Sequence, residues 1–390
     1  MAPVQGAKVG TIEYVLSIGG MRVQHPVNEM GASGGAARGN LPHAGRVQPP
    51  PLAACFSLTP TRSAMEVQMI KLGYKLMSEE HGPANLVRNA KRAEQAGFDF
   101  AAISDHYFPW LEEQGHAPFA WSVLGALAQA TQRMGLMTAV TCPIMRYHPA
   151  IIAQAAATMG LLAENRFTLG LGAGERLNEH VVGAGWPGVV ERHERLSEAI
   201  DIIQGLLAGE LTTYRGQHFQ LDHAKLFDRP ERKPDVIMAA GGPEAAELAG
   251  EKCDGLIVTE ARKELLKSFS NCGGSGPRYA EVALCCAADE SAARKTAHRY
   301  FRWSLSGWPV LAELPHDESF AAASRHIPEE AIAEGVSCGA SADRHLEAID
   351  EYVRIGCDHI ILTQVGPDQD FFFELFEKKL APALRGRKAA

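Results

Sequence analysis

Short apolar runs alternate with amphipathic stretches along the chain from Met69 onward. The stretches that follow the runs repeat apolar residues every three or four positions, which is typical of helices, whereas the short runs indicate buried strands. "AEQAGFDF" and "VRIGCDHIIL" share one order of helix, glycine, turn and strand, and a glycine suits a helix C-terminus. The pattern predicts strands at Ile70–Tyr74, Phe98–Ile103, Gly135–Thr141, Phe167–Leu171, Val236–Ala240, Gly255–Thr259, Ala280–Cys286 and His359–Thr363.

Strands that alternate with helices predict one α/β domain with a parallel sheet. Eight such units close most economically into a (β/α)8 TIM barrel, and a doubly wound open sheet is the alternative that the pattern leaves open. Two segments depart from the alternation. "TTYRGQHFQL" predicts a hairpin around Arg215 and Gly216, and residues 307–339, interrupted by prolines, predict an irregular helical insertion before the last strand.

Residues 1–68 differ from the rest of the chain. "GASGGAARGNLPHAGRVQPPPLAA" is rich in Gly, Ala and Pro and has no apolar period, so it cannot bury enough surface to offset the entropy of ordering. We therefore expect a disordered N-terminal extension over residues 1–68 and a barrel domain over residues 69–388. The extension has no secretory-signal pattern. Met65 and Met69 lie just before the first predicted strand and are therefore candidate native starts.

Composition narrows the class of protein. Apolar residues make up 46% and charged residues 22% of the chain, as in ordinary globular proteins, and no apolar run is long enough to span a membrane. A net charge of -8 offers no basic surface for nucleic acid. The eight cysteines include no CxxC pair, so we expect reduced thiols in a cytoplasmic protein. His180 and His193 lie near acids but lack a third ligand, so no metal site is expected.

The second predicted strand ends in "SDHYFPW", and in TIM barrels catalytic residues lie at the C-terminal ends of strands. His106 can exchange a proton near neutral pH and suits a general base if a neighbour fixes its tautomer. Tyr107, Phe108 and Trp110 would cover it. The alternative is a surface histidine after a capping Asp105, but the strand-end position and the aromatic residues favour a catalytic role.

Two further strand ends are unusual. In "RFTLGLGAGERLNEH", Gly172 and Gly174 would let a planar cofactor approach the backbone, and Glu175 would point from the barrel mouth. The glycine spacing is not that of the dinucleotide-binding fingerprint. In "DVIMAAGGPEAAELAG", Gly241 and Gly242 precede a helix N-terminus, which in barrels often binds a phosphate; a tight strand-to-helix turn is the alternative.

Taken together, these motifs resemble the bacterial luciferase-like superfamily and, more closely, its coenzyme F420-dependent glucose-6-phosphate dehydrogenase family. The resemblance covers nearly the whole barrel in order. It implies a TIM barrel, a homodimer and a hydride-carrying 5-deazaflavin cofactor, coenzyme F420, with a phosphate-linked tail. The motifs are "LGYK", "SDHYFPW", "QGHAPFAWSVLGALAQAT", "TCPIMRYHPAIIAQAAATM", "LGLGAGERLNEH", "AAGGP" and "FFFELFEKKLAPALR".

The resemblance also implies roles for individual residues. His106 would lie near the hydride-donating carbon, Trp110 would stabilise the reacting complex, and Glu175 would be a proton donor or partner beside the ring. A cis peptide bond would join Ala139 and Val140 behind the ring. The implied cofactor-binding residues are Asp105, Ala139, Val140, Gly172, Gly174, Asn178, Gly241 and Gly242.

The chain departs from the family where the substrate phosphate is held, since the family uses cations on the strand-six loop and in the late insertion. Arg262 or Lys263 could supply the first cation, as substrate-binding residues. The positions of the other two align with alanine, near Ala322, and with Gly335, while Arg325 is out of register. Each lost charge-assisted bond is worth about 1.5–3 kcal/mol, which predicts a less anionic alcohol–carbonyl pair than glucose 6-phosphate.

Three functions are compatible with these motifs. The favoured one is a coenzyme F420-dependent dehydrogenase or reductase acting on CH–OH groups. The second is a monooxygenase of the same fold that uses flavin mononucleotide (FMN) and oxygen, against which the "SDH…W" and "GAGE…NEH" motifs argue. The third is a non-catalytic cofactor-binding barrel, which would have no need of both His106 and Glu175.

Overall fold

Eight parallel strands form a closed barrel in the computed structural model, which describes residues 69–387. The predictions for residues 1–68 lie outside the described residues. Strands β1 to β6 are hydrogen-bonded in chain order, β8 lies between β7 and β1, and β6 pairs with β7 to close the ring. The predicted TIM barrel is therefore confirmed. The strands are β1 Lys71–Leu76, β2 Phe100–Ile103, β3 Gly135–Thr138, β4 Phe167–Leu171, β5 Asp235–Ala239, β6 Gly255–Val258, β7 Arg278–Cys286 and β8 His359–Gln364.

Helices cover the outside of the barrel, as the amphipathic stretches predict. The predicted glycine C-caps occur at Gly97 and Gly356, whose φ angles of 91° and 107° favour glycine. No helix of residues 69–387 is long and apolar enough to cross a membrane. Among the described residues outside 302–341, the helices of at least 6 residues are α1 Pro83–Ala96, α2 Ala120–Ala130, α3 Pro149–Leu162, α4 Val189–Ala208, α5 Pro243–Lys252, α6 Lys263–Asn271, α7 Glu290–Phe301, α8 Ala342–Ile355 and α9 Asp370–Leu375.

Both predicted departures from the alternation are present. Strands Thr212–Arg215 and Gln220–Ala224 form the antiparallel hairpin. Between α7 and α8 lies the insertion, residues 302–341, which holds short helices and one short strand that pairs with β7. Its buried side chains share a core with residues at the barrel mouth, so the insertion covers the C-terminal ends of several strands. That core includes Met77, Trp110, Leu177, Cys285, Trp303, Leu311, Phe320 and Ile332.

The barrel interior changes from apolar to charged along its axis. Phe100, Met137 and Ile257 belong to an apolar cluster inside the barrel. Gly73 makes room for it, because a Cβ atom there would lie 2.3 Å from the Phe100 ring. Two residues further along β1, Lys75 reaches across the interior instead. The barrel interior is therefore charged toward the C-terminal ends of the strands and apolar below them.

Candidate active site

A cavity of about 710 Å³ opens at the C-terminal ends of the barrel strands, where TIM-barrel enzymes place their active sites. Charged side chains from strand ends lie at its floor, and the insertion and α8 contribute to its walls. Five predicted site residues line it: His106, Trp110, Ala139, Val140 and Glu175. The others do not line it: Asp105, Gly172, Gly174, Asn178, Gly241, Gly242, Arg262 and Lys263.

His106 is held by an acid from a different strand end. Its Nδ1 lies 3.2 Å from Glu79 Oε1 and 3.3 Å from the carbonyl oxygen of Phe108. Glu79 is fixed in turn, since its Oε2 accepts a hydrogen bond of 2.6 Å from Ser104 Oγ. This network assigns the Nδ1–H tautomer, which leaves Nε2 as the nitrogen able to accept a proton.

Trp110 forms part of the cavity wall beside the histidine. Its ring centroid is 4.9 Å from that of His106 and 4.0 Å from that of Trp303, on which it stacks at 12°. Phe320 contacts it edge-on at 5.1 Å. Because Trp303 and Phe320 come from the insertion, the insertion helps to hold the Trp110 ring against the ring of His106.

Glu175 is tied to the His106 loop through Asn178. The Asn178 side-chain oxygen accepts backbone hydrogen bonds from Tyr107 at 2.8 Å and Phe108 at 3.2 Å, and its nitrogen donates to Glu175 Oε2 at 3.4 Å. Asn178 is only 1% exposed. It therefore joins the ends of β2 and β4.

The Asp105 carboxylate points away from the cavity into a buried network. Its oxygens accept hydrogen bonds from Thr141 at 2.8 Å, Tyr147 at 3.1 Å and Arg146 at 3.3 Å. Arg146 also approaches Glu179, with 3.4 Å between Nε and Oε1. Burial raises the pKa of Glu179 to about 7, against the lowering effect of Arg146. Asp105 thus anchors the loop that carries His106.

The peptide bond between Ala139 and Val140 is cis, as the resemblance implies. Lys75 Nζ donates a hydrogen bond of 3.0 Å to the Ala139 carbonyl oxygen and lies 2.7 Å from Glu281 Oε2. Thr363 Oγ1 donates to the other Glu281 oxygen at 3.0 Å. An ion pair across the barrel interior therefore supports the floor at Ala139 and Val140.

The two glycines that follow β4 pack against the segment that follows β3. A Cβ atom at Gly172 would lie 2.6 Å from Val140 Cγ2, and one at Gly174, where φ is +76°, would lie 2.4 Å from Cys142 Sγ. Larger residues would displace the segment after β3. Both glycines thus allow the segment that carries the cis peptide bond to lie close to the end of β4.

The predicted phosphate and substrate residues lie beside the cavity. Gly242 is the N-cap of α5. Gly241 packs against Trp308, since a Cβ atom at residue 241 would lie 2.8 Å from Trp308 Cδ1. Arg262 donates a hydrogen bond of 3.2 Å to the Gly241 carbonyl oxygen and lies 3.7 Å from Glu260. Lys263 is exposed at the start of α6.

Sequence reasoning missed several charged residues that line the cavity. Glu79 follows β1, Lys75 lies within β1, and Glu281 lies within β7. The signal was present in "LGYKLMSEEHG" and "YAEVALCC", since a charge inside a strand covered on both faces is rare unless it is paired. Their ion-pair partners lie in distant segments of the chain, however, so the sequence alone did not show which charges would pair.

Glu80 supports the part of the cavity wall that Trp110 forms, through hydrogen bonds in the protein interior. Its carboxylate accepts hydrogen bonds from the Gly366 amide at 2.6 Å and from Gln114 at 3.4 Å, and Gln114 also binds the Trp110 amide at 2.8 Å. Burial raises the pKa of Glu80 to about 8, although the two donors lower it. The folded state therefore holds a proton that the unfolded chain releases near pH 4.5.

This raised pKa predicts a pH-dependent stability. Because the folded protein binds the extra proton, the free energy of unfolding should decrease as the pH rises from about 5 to about 8. Glu80→Gln keeps an acceptor for Gly366 and removes this dependence. We expect its stability relative to the natural protein to increase by more than about 1 kcal/mol between these pH values, measured by urea unfolding. Exposed Glu112→Gln is the control, and parallel pH profiles for the Glu80 variant and the natural protein would contradict the prediction.

Comparison with known proteins identifies the class to which this barrel and site belong. The profile of the luciferase-like monooxygenase family matches residues 65–359. The chain belongs to this family, and the predicted resemblance is confirmed.

Individual relatives indicate which members of the family this chain is similar to. A protein of Microbacterium testaceum (strain StLB037) named F420-dependent glucose-6-phosphate dehydrogenase is 35% identical, over 82% of this chain and 99% of the relative. One with the same name from Amycolatopsis mediterranei (strain U-32) is 36% identical, over 81% and 99%. A solved structure of an F420-dependent secondary alcohol dehydrogenase with an F420–acetone adduct matches with a TM-score of 0.76 and 27% identity, over 81% of this chain and 99% of that chain.

Proposed function

We propose that this protein is a coenzyme F420-dependent oxidoreductase that transfers hydride between an alcohol or carbonyl substrate and the deazaflavin. The observation that carries the proposal is the His106–Glu79 pair, a buried base oriented by a carboxylate at the mouth of a luciferase-like barrel. Relatives named F420-dependent, at 35% and 36% identity, support the cofactor.

The residues of the cavity fit a planar cofactor. Ala139, Val140 and Ala239 give its floor small side chains, on which a flat ring can lie. Gly242 is the N-cap of α5, and the free backbone amides at this helix start suit the phosphate of the tail together with Gly241. When bound, the deazaflavin supplies a hydride acceptor in one direction and a hydride donor in the other. Asp105, Gly172, Gly174 and Asn178 shape this floor through their contacts with other residues of the chain.

His106 moves the proton of the reaction. Oxidation of an alcohol removes a hydride from the carbinol carbon and a proton from the hydroxyl group. Nε2 takes that proton while Glu79, at Nδ1, stabilises the positive ring that results. In the direction of carbonyl reduction the same nitrogen returns the proton. Trp110 keeps water from the base, and Glu175 contributes a second carboxylate beside the floor.

We extend the proposal to the substrate, which we infer is not glucose 6-phosphate. Arg262 is turned to the Gly241 carbonyl and Glu260, and Lys263 lies outside the lining. Ala322 and Arg325 also lie outside it, and Gly335 offers no side chain. These placements leave a phosphate dianion without the cations that would offset its desolvation.

Titration with the two candidate cofactors tests the proposal. We expect the full chain to bind oxidised coenzyme F420 with a micromolar dissociation constant, followed by deazaflavin fluorescence, and to bind FMN far more weakly. Val140→Asp, which places a charge on the floor, should weaken deazaflavin binding, whereas Val310→Asp on the exposed insertion surface should not. Tight FMN binding with oxygen consumption would instead make the protein a flavin monooxygenase.

The assembly and location remain part of the proposal. We expect a cytoplasmic homodimer that does not bind nucleic acid. Helix α3 carries no charged residue, and its Ile151, Leu161 and Leu162 side chains are exposed. An apolar helix surface of this kind favours burial against another subunit. Sedimentation velocity of the full chain would detect the dimer.

A further inference from the structure

We infer that the substrate is a neutral alcohol with a bulky apolar group, which lies against a wall supplied mainly by the insertion. This inference rests on the proposed function and names the substrate class for the same site. The apolar wall, as we call it, consists of side chains that line the cavity at the C-terminus of α7 and in the insertion: Phe301, Trp303, Leu305, Trp308, Leu311 and Val336.

The apolar wall is continuous with the proposed base. Trp110 lies between them, with its ring 4.9 Å from His106 on one side and 4.0 Å from Trp303 on the other. A substrate with its hydroxyl group at His106 would therefore extend its substituent along stacked indole rings and onto Leu305. Aromatic and aliphatic surfaces of this kind bind apolar groups by removing them from water.

Leu305 fills the position from which a polar side chain could reach the substrate. A Cβ atom at Gly335 would lie 2.7 Å from Leu305 Cδ2, so the leucine covers the backbone of residue 335. Because Gly335 has no side chain, this part of the wall presents hydrocarbon instead of a hydrogen-bond donor. Leu305 is therefore a residue that determines specificity.

The cations that do line the cavity are already paired. Among the described lining residues, Lys75 binds Glu281, and Arg344 lies 2.7 Å from Glu290 and donates to the Cys338 carbonyl oxygen at 3.3 Å. Carboxylates add negative charge to the lining, which disfavours an anionic substrate further. They include Glu175, Glu260, Glu334, Glu347 and Glu351.

A three-substrate comparison tests the inference. We expect the full chain, loaded with coenzyme F420, to oxidise 1-phenylethanol with a kcat/KM at least about tenfold above those for glucose and glucose 6-phosphate, as expected for burial of an aromatic group. Leu305→Arg should lower kcat/KM for 1-phenylethanol at least about tenfold and reduce its advantage over glucose 6-phosphate. Val310→Arg adds the same charge to the insertion outside the lining and should leave both values unchanged.

Calorimetric titration of 1-phenylethanol into the protein without the cofactor gives a second readout. Binding to the natural protein, weakened by Leu305→Arg and by the smaller Leu305→Asn, supports the inference. If binding follows this pattern but no alcohol reduces coenzyme F420, the proposed function fails and the assignment of the wall stands. If glucose 6-phosphate is the better substrate, or the Leu305 variants fold and keep the natural preference, the inference is wrong while hydride transfer stands.

Discussion

Replacement of His106 by alanine should lower kcat for alcohol oxidation about 10²–10⁴-fold, the usual contribution of a general base. His106 is the cavity-lining histidine that a carboxylate orients, with 3.2 Å between its Nδ1 and Glu79 Oε1. Without it, no group at this position takes the hydroxyl proton as the hydride leaves. Affinity for the deazaflavin should change little, so fluorescence titration of the variant separates lost chemistry from lost binding. Stopped-flow absorbance of the deazaflavin under single-turnover conditions measures the chemical step.

Two further variants control this experiment. His326→Ala, at an exposed position of the insertion outside the lining, should keep full activity. Glu79→Gln should lower kcat more than it raises KM, because Glu79 acts by positioning His106 and does not contact the substrate in the proposed mechanism. Added imidazole should restore part of the activity of His106→Ala. An alanine variant that retained half of the natural kcat would show that another group is the base.

Replacement of Lys75 by methionine should lower the free energy of unfolding by about 3–5 kcal/mol, the usual effect of removing one partner of a buried ion pair. Lys75 is 6% exposed, and its Nζ lies 2.7 Å from Glu281 Oε2 and 3.0 Å from the Ala139 carbonyl oxygen. The variant leaves the Glu281 charge inside the barrel with the Thr363 hydroxyl as its remaining hydrogen-bond partner among the described residues. Guanidinium unfolding at pH 7 measures the loss.

The same strand provides a matched control. Lys71, at the start of β1, is 53% exposed and lies 3.7 Å from Asp99, so Lys71→Met should change stability by less than about 1 kcal/mol. The double variant Lys75→Met with Glu281→Leu removes both charges and should be more stable than Lys75→Met alone. If Lys75→Met cost no more than Lys71→Met, the ion pair would not support the floor of the site.

The sequence by itself determined the architecture and the strand ends at which the candidate site lies. Alternating apolar runs and amphipathic stretches predict the barrel because strands buried beneath helices are apolar throughout, whereas the covering helices repeat apolar residues every three or four positions. Glycines such as Gly97 and Gly356 ended helices where expected, since local backbone conformation decides that feature. His106 and Glu175 were predicted from strand ends, and both line the cavity.

Only the tertiary structure decided which of these groups meet. Glu79 approaches His106, and Lys75 pairs with Glu281, because barrel closure brings together strand ends that are distant in the chain. The direction of a loop side chain also depends on its neighbours: Asp105, adjacent to His106 in sequence, turns into a buried network. Strand periodicity records burial, whereas the partners of a buried charge depend on contacts between separate segments, which local sequence does not contain.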